Sequence, residues 1–193
     1  MANETKVKAN IDELNKLIRV LKKEKKVRIG IIGSKATAEH DTESGLTNAK
    51  LGAIHEFGAD IEHPGGTPYK ILANGQARFV KKSEGEGLPV TEAHDIHIPR
   101  RSFLLDPLKD KLPDKIKKLR KYIFKQIFDK KAPDDFYRLL MQESLKIVKD
   151  AFNNGYPGWK PLTAATRRRP RGTNKILMDT RGLRDSITGK IVE

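Results

Sequence analysis

Apolar residues along this chain repeat with two periods, and each change of period marks a new element. Ile11, Leu14, Leu17, Ile18 and Leu21 recur at helical spacing and would line one face. Asn10, with Glu13 three residues later, supplies a capping box at the start. The lysine-rich KKEKK then places cations at the negative end of the helix. The next run, KVRIGIIG, is short and rich in β-branched residues, which predicts a strand. Residues 34–48 are polar and read as a loop. LTNAKLGAIHEFG reads as a short helix, with Leu51, Ile54 and His55 on one side and Gly58 as its stop.

The character changes between Ala59 and Ile98. PGGTP leads into YKILA and QARFV, and the soft segment KKSEGEG follows. Asn74-Gly75 between the two β-like runs signals a hairpin, because both turn residues tolerate positive φ. Residues 60–97 are therefore expected as a β-hairpin insertion in a single domain covering 1–193. After Pro99 the pattern turns helical. Ile116, Leu119, Ile123 and Ile127 form one stripe; Tyr137, Met141, Leu145, Val148 and Phe152 form another. Pro133 stands where the second helix would start, Asp134 and Asp135 complement its positive end, and Asn153-Asn154-Gly155 stops it. Both helices are expected to pack their apolar sides on a sheet. ITGKIV, near the end, reads as a closing strand.

Composition narrows the class. A chain of 193 residues holds one domain with a real core, or a domain plus an appendage. With 37% hydrophobic and 33% charged residues the core is modest. No apolar run approaches the ~20 residues needed to cross a bilayer. MANETKVKAN lacks the apolar stretch of a secretory signal, and there is no cysteine. A cytoplasmic product is the expectation. The net charge of +14 is uneven: residues 1–99 carry 15 cations and 14 carboxylates, leaving +13 for residues 100–193. Arg167, Arg168, Arg169 and Arg171 cluster there. Such asymmetry points to a polyanionic or acidic-protein partner, or to a solvated helical face.

His55-Glu56 resembles the start of a zinc-protease helix, but Ala59 stands where the second histidine would be. His40, His63, His94 and His97 are scattered; in a strand, His94 and His97 would face opposite sides. Gly30-Ile-Ile-Gly33-Ser-Lys35 lacks the Gly-Lys-Ser/Thr ending of a phosphate loop. No serine lies in a G-x-S-x-G setting. Trp159 and the four tyrosines do not interleave with basic residues as in a single-strand binder. No catalytic residue, cofactor or metal ligand is assigned, and a non-enzyme is expected.

Four short motifs occur in order. They are His55-Glu56-Phe57-Gly58; Ile98-Pro99 with Arg101 and Phe103; Trp159 with Leu162 and Thr166; and Leu177 with Thr180, Leu183 and Ser186. The set resembles the virion morphogenesis (tail completion) family of tailed bacteriophages and prophages, Mu-like members included. It spans the chain from about Leu51 to Ile187. The resemblance implies an α/β subunit of the α+β type, with a small, mostly antiparallel sheet packed by helices. It also implies a non-enzymatic structural protein, made in the host cytoplasm and built into the tail or neck of the virion. There it would act as a homo-oligomeric ring with other phage tail or neck proteins. At 102 the family often has Pro, so Ser102 should loosen the turn; at 181 a Gly often follows the Thr, where this chain has Arg181.

Read physically, Phe57 is expected as a core anchor and Gly58 as a helix stop. His55 and Glu56 are expected to hydrogen-bond neighbouring backbone or the next subunit, and Arg101 to lock onto a carboxylate such as Glu56 in fork geometry. Thr180 would cap a helix, with Leu183 and Ile187 turned inward. The alternative reading is a basic nucleic-acid-binding module that uses the second half of the chain. A ring at a DNA conduit would itself meet passing DNA non-specifically. No membrane partner is implied.

Overall fold

The computed structural model describes residues 15, 25–41, 45–128, 134–167 and 175–193. Of the expected first helix and its closing KKEKK, Asn15 is helical, Lys25 lies in no element and Lys26 opens the first strand; the rest lies outside the described residues. Pro133, Arg168, Arg169 and Arg171 also lie outside the described residues.

Strand β1 (Lys26–Ile31) and strand β8 (Ile187–Val192) pair antiparallel over their full lengths, from Lys26↔Val192 to Ile31↔Ile187. Lys26 to Ile29 alternate exposed and covered positions, and Gly30 and Ile31 are both covered, so the strand sinks into the body at its end. Both segments expected as strands are therefore partners. Residues 34–48, expected as a loop, instead hold helix α1 (Ser34–Thr37) and the small pair β2 (Glu39–Asp41) and β3 (Leu46–Thr47). Elements this short carry too few apolar positions to show a period.

Helix α2 (Asn48–Phe57) starts at Thr47, whose hydroxyl accepts from Lys50 N–H at 3.3 Å. It ends at Gly58 (φ 81°), as expected. Gly52 lets the helix approach the core closely: a Cβ there would lie 2.6 Å from Ile31 Cδ1. Strand β4 (Ala59–His63) leaves the body and pairs with the returning strand β7 (His94–Ile98), in register from Ala59↔Ile98 to His63↔His94. Between them β5 (Tyr69–Ile71) pairs with β6 (Ala77–Phe79), and a 3-10 turn covers Lys82–Glu84. Hydrogen bonds from Gly66 N to Thr91 O and from Tyr69 N to Pro89 O join the two ribbons into one arm.

The hairpin turn differs from the expected one. Leu72 N–H donates to Gln76 O, so the loop is three residues long, and of Asn74 and Gly75 only Gly75 has positive φ (77°). Asn74 instead accepts from Gln76 N–H through its side chain.

Helix α3 (Leu105–Phe128) and helix α4 (Asp134–Asn154) pack on each other, and α4 covers β1 and β8. Val148 and Phe152 of the predicted α4 stripe are buried; Tyr137, Met141 and Leu145 are half-buried. Gly155 (φ 77°) stops the helix where expected. Ile116 and Leu119 are half-buried, while the side chains of Ile123 and Ile127 lie outside the description. Short helices α5 (Ala164–Arg167) and α6 (Gly182–Ser186) complete the chain. The architecture is α+β with antiparallel sheets packed by helices, in agreement with the expected class.

The core gathers Phe103, Val148, Phe152, Met178, Leu183 and Ile187, ringed by Ile29, Ile31, Leu51, Leu104, Trp159 and Leu177 among others. Phe103 and Phe152 tilt against each other at 5.0 Å. Burying each such side chain contributes roughly 1.5–3 kcal/mol. Its buried members come from three stretches of sequence and the ring around them adds three more, so no local segment can form it alone.

Candidate functional site

The pairing Ala59↔Ile98 closes the base of the arm and brings the end of α2 against the start of α3. Arg101 N–H donates to His55 O at 2.8 Å and locks this approach. Glu56, one residue before the helix end, is 4% exposed. Its Oε1 accepts from Ser102 Oγ at 2.5 Å and Leu105 N–H at 3.0 Å. Its Oε2 accepts from Phe103 N–H and Leu104 N–H, both at 3.0 Å. Ser102 Oγ in turn accepts from Asp106 N–H at 2.9 Å. The first turn of a helix has backbone N–H groups without intrahelical partners and a partial positive charge. Glu56 supplies both the acceptors and the anion. With two oxygens engaged by four donors, it acts as a structural tie.

Arg101 does not pair with Glu56. Its guanidinium turns the other way, with Nε–H donating to Lys160 O at 3.0 Å and a second donor reaching Pro161 O at 3.5 Å. The backbone amides already satisfy the carboxylate, so a buried Arg does better by capping carbonyls of the segment after Trp159. Burial pushes the Arg101 guanidinium below its ordinary value. Ser102 does not loosen the turn either; it ties the turn from both sides. Trp159 Nε1–H donates to Ser102 O at 2.9 Å, and Tyr156 Oη–H donates to Asp106 O at 3.3 Å. On the outer surface Arg100 grips Asp106 through two hydrogen bonds of 2.7 and 2.8 Å. That grip holds the Asp106 carboxyl below the usual carboxylate range.

Phe57 is a second correction. It is 64% exposed, because the helical turn that buries Glu56 points the next side chain outward. His55 is largely covered, and its Nδ1 has no hydrogen-bond partner among the described residues. Burial, with same-sign repulsion from Arg101 and His40, pushes its imidazole down to about 4. Pro99 ends β7 as expected, and Ile98 closes the strand pair.

Leu177 and Leu183 join Phe103 in or against the core, and Ile187 is buried beside them. Ser186 is buried, donating Oγ–H to Leu183 O at 2.6 Å. The helix cap falls on Arg181 rather than Thr180. Arg181 adopts φ 65°, the left-handed conformation that a glycine would take without strain. Thr180 Oγ1 accepts from Gly182 N–H at 3.3 Å. Leu162 is half-buried, Thr166 is exposed on α5, and Arg167 is exposed at its end.

The four motifs thus do not line a cleft. Glu56, Arg101, Phe103, Trp159, Leu177 and Leu183 meet at or around the start of α3, while Phe57, Thr166 and Arg167 face outward. Ser102 and Asp106 were missed as members of this junction. Their signal was present: Ser102, then Asp106 and Pro107, is helix-start chemistry.

Elsewhere, His63 and His94 stack at 4.9 Å on one side of the β4/β7 ribbon, and His97 pairs with Asp60 on the other at 2.5 Å. The alternation expected for His94 and His97 holds. Among the described residues no group of three His, Cys, Asp or Glu side chains is placed to hold a metal ion. No described helix is long and apolar enough to cross a membrane. No protein-family model, curated protein or solved structure matches this chain.

Proposed function

We propose that this chain is a structural protein of phage or prophage virion morphogenesis, a tail completion, terminator or neck component that joins tail to head. The observation that carries the reading is the buried tie from Glu56 to Ser102 and the amides of 103–105. It links the first motif to the second, and Trp159 links the third to the same Ser102. Of the residues picked out by the resemblance, Glu56, Phe103 and Trp159 meet at this tie, which supports the reading, while Phe57 and Thr166 face outward and Ser102, through which the tie runs, departs from the family's usual Pro. The subunit is made in the host cytoplasm, acts without catalysis, and enters the virion as a ring with other tail or neck proteins.

The test is particle assembly in a producing cell. Removing the chain should leave heads and tails unjoined in electron micrographs, and tagged protein should mark the head-proximal tail end. Joined particles of normal yield without the chain would reject the assignment. The second reading, a nucleic-acid-binding module, rests on the +13 charge of residues 100–193. It requires duplex DNA binding with a steep salt slope.

A further inference from the structure

Charge is segregated between the arm and the body. Residues 59–98 hold six carboxylates and four cations, a net of −2 within a chain of +14. On the β4/β7 ribbon the register gathers Asp60, Glu62, Asp95 and His97 on one face. Glu62 and Asp95 stand directly opposite each other, a like-charge pair that destabilises an isolated ribbon. Neither has a cationic partner among the described residues. Asp60, paired among the described residues with the exposed His97, keeps 82% of its side chain in solvent.

The opposite charge lies on α3. Between Leu105 and Tyr122 it carries seven cations against three carboxylates. Lys117, Lys118 and Lys121 are exposed and share one helical face, which also carries Asp114, paired with Lys117 at 3.6 Å, so the face keeps an excess of two cations. The strands of the arm pack principally on each other, not on this helix.

We infer that the arm is a docking element that seats its acidic face on the lysine face of α3 in a second copy of the chain. Arm and α3 are different surfaces, so the contact is heterologous and repeats head to tail, closing as a ring or running on as a chain. Lysines from the neighbour relieve the Glu62/Asp95 repulsion. Exposed ion pairs are individually weak, so association is marginal in dilute solution and grows as salt falls. The inference stands on the charge layout and does not depend on the virion assignment.

Two charge-reversed full-length proteins test it. One carries Asp60→Lys, Glu62→Lys and Asp95→Lys; the other carries Lys117→Glu, Lys118→Glu and Lys121→Glu. Sedimentation at low salt and high protein concentration measures self-association, and a wild-type-like cooperative thermal transition checks the fold. Each variant alone should self-associate at least about tenfold more weakly than wild type. Their equimolar mixture should recover to within about threefold, because both contacts become attractive again. Should a reversed protein not fold, the neutral set Asp60→Asn, Glu62→Gln and Asp95→Asn should weaken association in the same direction. The inference is overturned by a mixture that stays dissociated, or by a wild-type chain that does not self-associate at low salt. It is also overturned if reversing α3 abolishes duplex DNA binding and leaves self-association unchanged, which would assign that face to a polyanion.

Discussion

Glu56 and Ser102, 46 residues apart in sequence, are joined by a buried hydrogen bond that ties the end of one helix to the beginning of another. The arm leaves and returns between them. The Ala59↔Ile98 pair at the base of the arm helps to close this junction.

Removing the Glu56 side chain strands the buried Phe103 N–H, the part-buried Leu104 and Leu105 N–H groups and the Ser102 hydroxyl. Glu56→Ala should destabilise the fold by about 3 kcal/mol, since unsatisfied buried groups cost about 1–3 kcal/mol each and partial relaxation recovers some. Glu56→Gln keeps one acceptor oxygen but points amide donors at backbone donors, so it should cost about 2 kcal/mol. Denaturant unfolding checks both. Wild-type stability in the Gln variant would show that the carboxylate is not needed.

Gly58 turns the chain from α2 into the arm at φ 81°, and a Cβ there would stand 3.1 Å from Arg100 N and Ile98 O. Both neighbours are backbone and cannot swing away. Gly58→Ala should cost about 2 kcal/mol, combining left-handed strain with crowding. Thermal unfolding of the variant measures this, and an unchanged midpoint would contradict the geometry.

Arg181 sits at φ 65° with its side chain exposed. Arg181→Gly removes left-handed strain at the entrance to α6 and should stabilise by about 1 kcal/mol, less the flexibility glycine adds to the unfolded chain. In a chain of this size that raises the unfolding midpoint by roughly 2–4 °C. A lower midpoint would mean that the Arg181 side chain makes a stabilising contact.

His55 has a folded-state pKa of about 4, below its ordinary 6.5. Between those values the unfolded chain binds more protons than the folded one, so stability rises with pH across that window. The contribution is fully present above about pH 6.5 and is lost as pH falls toward 4. Its size is on the order of 2 kcal/mol after allowing for partial exposure. Carboxylates titrate over part of the same range, so the comparison is between wild type and His55→Gln. Unfolding free energies should fall more steeply with acid in the wild type. Parallel curves would exclude His55 as the cause.

The tip of the arm exposes Ile71 (68%) and Phe79 (62%), and few apolar side chains back it. Deleting residues 66–87 with a short Gly/Ser link keeps β4 paired with β7. The shortened chain should retain a cooperative thermal transition and fail to assemble. Loss of that transition would make the tip part of the fold.

Local physics was legible from the sequence wherever a period or a turn residue repeated it. The β-branched run that became β1, the α4 stripe, Gly58, Pro99, the inward Leu183 and Ile187, and the closing strand β8 all follow from side-chain spacing and backbone preference. Partner choice was not legible. Nothing near Arg101 says that it will seek Lys160 O and Pro161 O, and although backbone was an expected partner for Glu56, nothing near it says that the amides of residues 103–105 will be the ones. Those outcomes depend on which donors the folded chain brings within 3 Å, a matter of long-range packing. Phe57 was misplaced for the same reason: hydrophobicity states a preference for burial, whereas the rotation of α2 against Ile31, Phe103 and Leu183 decides which residues obtain it. Composition alone determined that the chain is basic. Only the antiparallel register of β4 and β7 gathered Asp60, Glu62 and Asp95 onto one acidic face, because cross-strand neighbours are fixed by hydrogen bonding between segments more than thirty residues apart.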